Sequence, residues 1–457
     1  MRQSVLAEPR GYQAWASTPF RRALALLTLL AAWLASAPAH AVPSFAQQTG
    51  APCQQCHTTA YGPALTEYGR QFKLNGYVFG DVKSFLPLAL MVQGGYTHTS
   101  ADQPTPPAPQ FGVNGQTSVD QVSLFIATRL SEHLGLFSQI TYDGIGHGTA
   151  WDNTDLRYAR SFNVGKTALV AGVSVNNNPT VQDLWNSTPA WGFPYISSAL
   201  APSPAAGPII GGLGGTVLGA TAYVMVNDRY YLEAGGYRGL SNHWLDNLGA
   251  GADSNPNLDG LSPYWRAAVN LASGPHQYSF GTFGMEASVQ PDPTVGLKDR
   301  FTDYGFDATY QFVAPGPHGI QANLSYIDEK QDLAASLAGP VDPLSPVSND
   351  LQFFSVDLSY SYNRTWVGAV NEFTTTGSSN AALYAPNTTP DSNGYRLQLE
   401  YVPFGKLDSP NRPWLNLRFG LQYTDYSKFD GASSNYDGSG RNASDNNTLF
   451  AFFWVII

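Results

Sequence analysis

The 457-residue sequence predicts an all-β fold, an antiparallel transmembrane β-barrel of about 16 strands behind a small N-terminal α-helical segment. Three observations carry that expectation. Apolar and polar residues alternate with period two from Pro87 to the C-terminus. Charge is sparse, at 13%, beside 13% aromatic residues and 45 glycines, which suits a sheet wet on one face and lipid-facing on the other. Short turns such as Val164-Gly165, Asn227-Asp228 and Asn363-Arg364 alternate with long polar loops.

The alternation fixes which face is which. Tyr395, Leu397, Leu399 and Tyr401 alternate with Arg396, Gln398 and Glu400, and Val356, Leu358, Tyr360 and Tyr362 alternate with Asp357, Ser359 and Ser361. Successive strand residues point to opposite faces, so the polar set faces inward, the reverse of a soluble sandwich. A soluble sandwich or propeller is the alternative, and it leaves the outward aromatic rows unexplained.

The elements follow in order. Arg21-Arg22, the apolar run Ala23 to Ala37 and Ala39-His40-Ala41 make residues 1–41 a secretory signal peptide; an uncleaved helix is the rival reading, and the run is short for one. Residues 42–85 form a loop-and-helix segment, with a helix over Ala64 to Leu74 that carries Leu65, Tyr68, Phe72 and Leu74 near helical spacing and stops at Asn75-Gly76. Residues 86–457 are the barrel. Its strands lie near 87–97, 118–130, 134–142, 153–162, 166–175, 214–226, 230–239 and 263–272, then near 276–289, 300–313, 318–329, 350–363, 365–376, 392–403, 412–425 and 446–457. An even strand number puts both ends of the barrel chain at the short-turn side, expected to be the periplasm. The aromatic, apolar finish Phe452 to Ile457 suits barrel insertion.

Both cysteines lie in Cys53-Gln54-Gln55-Cys56-His57, just past the export signal. Two thiols one helical turn apart, followed by an imidazole, are the attachment pattern of a covalent c-type haem: the thiols add across the haem vinyl groups and His57 is placed to become an axial iron ligand. A disulfide over so short a gap is a strained staple, the βαβ context of disulfide-exchange enzymes is missing, and zinc would need two further ligands. The expected cofactor is one covalent haem c, which makes 42–85 a monohaem cytochrome c segment. So short a segment cannot bury much surface alone, and the haem or the barrel wall must complete its core.

The stretch Ala41 to Gly50, the haem motif and Tyr68-Gly69-Arg70-Gln71-Phe72-Lys73-Leu74-Asn75-Gly76-Tyr77 together resemble the fused monohaem cytochrome c–porins of the bacterial outer membrane, whose best-known members are iron-oxidising cytochromes. Gln47 stands where that family carries a basic residue, and Tyr61-Gly62-Pro63 replaces a Phe-Pro pair. The resemblance implies one haem ahead of a barrel of about 16 strands, electrons taken from an extracellular reduced donor such as Fe(II), and a periplasmic electron carrier as acceptor.

Further candidates follow. The second iron ligand is open: besides Met1 the chain has only Met91, Met225 and Met285, and Met91 is nearest in sequence, with a packing or lipid-facing role as its plainer reading. His98 on the same strand and an unligated iron are the other options; thioether ligation raises the potential relative to bis-histidine. Arg70, Phe72, Lys73 and Tyr77 are the expected haem environment. Arg70 and Lys73, at i and i+3, either neutralise propionates or form a docking face. The long loop from Asn176 to Gly212 carries Trp185, Trp191 and Tyr195, expected to fold into the lumen either as an electron path or as a plug with its own core. Carboxylates assigned to exterior loops, among them Asp143, Asp152, Asp155, Asp246 and Glu329, suit hard divalent cations without forming a cluster of ligand spacing.

The net charge of −10 without a basic patch excludes a nucleic-acid partner, and no nucleophile–base pair or phosphate loop points to hydrolysis. The leading expectation is electron transfer across the outer membrane, with outer-membrane lipid around the barrel. The alternatives are a diffusion porin with a haem-bearing gate and a periplasmic sensing module.

Overall fold

The computed structural model describes residues 44–457 apart from 60, 81–86, 293, 295, 314–315, 338–346, 407 and 410–414. The expected signal peptide lies outside the described residues. The strands are β1 (Leu88–Thr99), β2 (Gln116–Arg129), β3 (Leu134–Asp143), β4 (Thr149–Val164), β5 (Thr167–Asn176), β6 (Val217–Val226), β7 (Tyr230–Gly239) and β8 (Ser262–Ser273). They continue as β9 (His276–Val289), β10 (Asp299–Val313), β11 (His318–Asp332), β12 (Ser348–Tyr362), β13 (Trp366–Gly377), β14 (Ser392–Tyr401), β15 (Asn416–Lys428) and β16 (Thr448–Ile456). Each strand pairs antiparallel with its sequence neighbours, and β1 pairs with β16, which closes the barrel. All sixteen predicted strands are present, with ends shifted by a few residues.

The pleat sorts the residues as the alternation requires. On β14, Tyr395, Leu397, Leu399 and Tyr401 are exposed on the outer face, while Gln398 and Glu400 are buried inside. The turns Asn227-Asp228 and Asn363-Arg364 both hold two consecutive positive-φ residues, between 52° and 54°, the conformation that matches the twist of a two-residue hairpin. Among the described residues no helix is long and apolar enough to cross a membrane.

The N-terminal segment contains three short helices, α1 (Ser44–Thr49), α2 (Cys53–Cys56) and α3 (Glu67–Leu74). Helix α3 starts three residues later than the sequence suggested. Leu65 is held instead in an antiparallel bridge with His57, and the Thr66 hydroxyl caps the helix by accepting from the Gly69 N–H. The helix ends as expected at Asn75, after which Gly76 (φ 76°) and Tyr77 (φ 60°) reverse the chain.

Two insertions fill the lumen from opposite ends. At the short-turn end the segment bonds to the wall through Gln54 Nε2 to the Phe404 oxygen (2.9 Å), Arg364 Nη1 to the Gln54 oxygen (2.8 Å) and Arg129 Nη1 to the Gly80 oxygen (2.7 Å). The loop between β5 and β6 enters from the long-loop end, where Thr97 meets Ser198 (2.6 Å) and the Ile209 and Ile210 N–H groups donate to Glu329 and Asp303. One apolar cluster joins all three parts: Leu74 of the segment, Leu184 and Trp185 of the loop, and Ala159, Tyr223 and Tyr231 of the wall.

Several carboxylates expected on exterior loops lie on strands instead. Asp143 ends β3, Asp152 and Asp155 lie on β4 and Glu329 lies on β11, and Asp155 and Glu329 are buried in the lumen. On β16, Phe450, Phe452 and Trp454 point inward and pack with Tyr61 and Ile196 of the two insertions.

Candidate functional site

The site is built on α2. Cys53 and Cys56, at i and i+3, share one face of a single helical turn. His57 leaves that turn in extended conformation, fixed by its N–H to the Cys53 oxygen (2.9 Å) and by flanking bonds from Thr66 N to the Cys56 oxygen (2.9 Å) and Thr58 N to the Ala64 oxygen (3.1 Å). Helix α3 packs directly on this turn at Gly69. A Cβ there would lie 2.2 Å from the Cys56 oxygen, so only glycine permits the approach.

Both thiols are free. Burial pushes them up, Cys53 to about 11 and Cys56 to about 12, and Cys53 Sγ accepts from Asn416 Nδ2 at 3.3 Å. They and His57 line an internal cavity of about 550 Å³, together with Phe72, Tyr61, Met91, Trp191, Tyr195 and Trp454. Burial lowers His57 to about 4, against the Gly62 and Ala64 carbonyls, which favour a proton on the ring. Its Nδ1 is enclosed and has no hydrogen-bond partner of ordinary geometry.

The structure brings most of the predicted residues to this cavity. Phe72, Lys73, Tyr77, Met91, Trp191 and Tyr195 line it. Lys73 spends its ammonium on the Val181 oxygen (2.8 Å), the Asp183 oxygen (2.6 Å) and Asn186 Oδ1 (2.9 Å), tying the segment to the loop. Burial drops its pKa to about 7. Tyr77 donates to Asp155 Oδ2 at 2.6 Å. Arg70 and Trp185 stand apart from the cavity. Arg70 donates to the Leu65 oxygen (3.1 Å) and to Gln311 (2.7 Å) and Gln277 on the wall, while Trp185 packs in the apolar cluster with its ring beside Arg266. His98 is exposed on the outer face of β1.

Sequence reasoning missed the wall residues that position the segment. Arg418 on β15 donates to the Tyr61 oxygen (2.7 Å) and the Thr59 oxygen (3.2 Å), pairs with Glu400 (3.3 Å) and lies under the Tyr61 and Trp454 rings. Arg266 on β8 holds the loop through Asp183 (3.1 Å) and β10 through Asp307 (2.8 Å), all three side chains fully buried. Arg157 on β4 pairs with Asp155 (2.7 Å) and donates to the Lys73 and Gln182 oxygens. The one available signal was charge at inward positions of strands, which is costly unless partnered.

A c-type haem fits these residues by three observations. Two free thiols share one face of one turn, a neighbouring imidazole opens on the same cavity, and the cavity is large and mostly apolar. Among the described residues no group of three or more His, Cys, Asp or Glu could hold a lone metal ion.

Fold and site together define a closed 16-stranded antiparallel barrel with two insertions in its lumen and a cysteine–histidine cavity. No protein-family model and no curated protein matches the chain. Among solved structures it is similar to OmpF of Salmonella typhi in complex with daunomycin (12% identity, 81% of this chain and 97% of the other, TM-score 0.47). It is also similar to the outer membrane channel DcaP of Acinetobacter baumannii (13%, 81% and 96%, 0.43) and to OmpT, an outer membrane protein of Vibrio cholerae (11%, 82% and 99%, 0.42). These likenesses lie at the level of the barrel, which the strand pairing already establishes.

Proposed function

We propose that the chain is a bacterial outer-membrane barrel that carries electrons between an extracellular donor and a periplasmic carrier through one covalent haem in its lumen. The observation that supports it most is the common cavity of Cys53, Cys56, His57 and Met91 inside a barrel whose segment and inserted loop are bonded to each other. When bound, a c-type haem supplies one-electron redox chemistry. The protein's part is to fix it: Cys53 and Cys56 hold the macrocycle, His57 holds iron, Phe72, Tyr61 and Trp454 exclude water, and the outer apolar face insulates the site within lipid. Fe(II) is the donor proposed, on the sequence resemblance and the acidic loop side. Anaerobic mixing of the haem-loaded protein with Fe(II) tests it: appearance of the reduced haem spectrum supports iron as donor, and failure to reduce from acidic to neutral pH removes iron.

A second reading, a channel with the segment as gate, is favoured by the strand number, which falls in the range of barrels that leave an aqueous pore. The barrel taken alone supports this channel role. Planar-bilayer conductance separates the two: a large steady conductance in the haem-loaded protein fits the channel, and a closed barrel fits the conduit.

A further inference from the structure

We propose that Met91 Sδ is the second axial ligand of the haem iron; this rests on the haem reading above. Met91 lies on β1 with only 5% of its surface accessible, on the inner face, lining the same cavity as His57. Its sulfur is oriented by a relay on the wall. Gln121 Nε2 donates to Gln93 Oε1 at 2.6 Å, and Gln93 Nε2 donates to Met91 Sδ at 3.7 Å. The relay pins one rotamer of an otherwise adaptable side chain.

The cationic, thiol and histidine alternatives and two of the tyrosines are committed elsewhere. Lys73 is saturated by three oxygens. The Tyr61 hydroxyl donates to the Trp454 oxygen at 2.6 Å, and that of Tyr77 donates to Asp155. Both cysteines are consumed by attachment, and His98 is on the far side of the wall. Met91 is the one thioether on the lining of His57's cavity, a soft, neutral donor, and it comes from the barrel rather than from the segment. The iron would thereby cross-link the segment to β1, and a thioether ligand would hold the potential above that of a bis-histidine site.

The test uses the full chain loaded with haem, with Met91→Leu and Met91→His alongside, and three readouts: covalent haem by stain after denaturation, the ferric spectrum and the reduction potential. Wild type should show the long-wavelength sulfur-to-iron charge-transfer band. M91L should keep covalent haem but lose the band and drop in potential, and M91H should lose the band and drop as well. Covalent haem in the wild type without the band, or an M91L spectrum and potential identical to wild type, overturns the assignment and leaves the haem reading standing. Absence of covalent haem from the wild type overturns both.

Discussion

The guanidinium of Arg418 donates to the main-chain oxygen of Tyr61 at 2.7 Å, joining β15 to a residue four places beyond His57. Arg418 also pairs with Glu400, and both side chains are almost completely buried. The barrel wall therefore holds the segment of Cys53 and His57 through hydrogen bonds from a guanidinium that is itself ion-paired within the wall, not merely through apolar packing.

Breaking that anchor should free the segment. Arg418→Met leaves Glu400 buried without its partner, a change that costs about 3–5 kcal/mol in comparable pairs. Limited proteolysis should cut between residues 44 and 80 much faster in R418M than in wild type. Equal cutting rates would show that the segment is held by other contacts.

Gly69 sets the distance between α3 and the motif turn. Gly69→Ala places a Cβ against the Cys56 oxygen and should destabilise the segment by about 1–3 kcal/mol, the usual range for overpacking. Covalent haem yield in G69A should fall, whereas Gly368→Ala, where a Cβ meets nothing within 4 Å, should leave it unchanged. Matching yields for both variants would contradict the close approach.

Lys73 gives the plug a pH dependence. Burial lowers its pKa to about 7 in the folded protein, below the ordinary lysine value it regains when the segment unfolds. Between those values the unfolded state binds more protons, so stability rises as pH increases through that window and is flat in this respect below about 7. Segment protection, measured as the ratio of wild type to Lys73→Met at each pH, should climb from pH 7 to about 10. A constant ratio would contradict a depressed Lys73.

The loop between β5 and β6 enters the lumen and is bonded there to Lys73 of the segment. Deleting residues 181–206 removes the groups that Lys73 and Arg266 hold, and should raise single-channel conductance in a planar bilayer severalfold. Unchanged conductance would mean that the segment alone seals the barrel, or that wild type is already open.

Much of the fold was legible because its signals are local. Alternation such as Leu397-Gln398-Leu399-Glu400 assigns both strand and facing, and the Cys53–His57 spacing marks the motif without any tertiary information. The start of α3 was misplaced because Leu65 looks helical by spacing but is claimed by the bridge to His57. The inward turn of Phe450, Phe452 and Trp454 was hidden because both faces of β16 are apolar, so pattern alone cannot choose between lipid and plug. Asp155 was read as a loop carboxylate because its partner Arg157 only acquires meaning once Tyr77 arrives from the segment. Contacts such as Arg418 with Tyr61 join residues far apart in sequence, and no local pattern encodes them.

Under the proposed function the barrel carries electrons through a haem fixed at Cys53, Cys56 and His57. The most direct test of that function places the haem-loaded protein in sealed liposomes, with a membrane-impermeant reductant outside and a membrane-impermeant redox dye trapped inside. The trapped dye should be reduced with wild-type protein and not with His57→Ala, although both barrels insert. Wild-type protein carrying covalent haem, inserted in the liposomes, yet leaving the dye oxidised would contradict it.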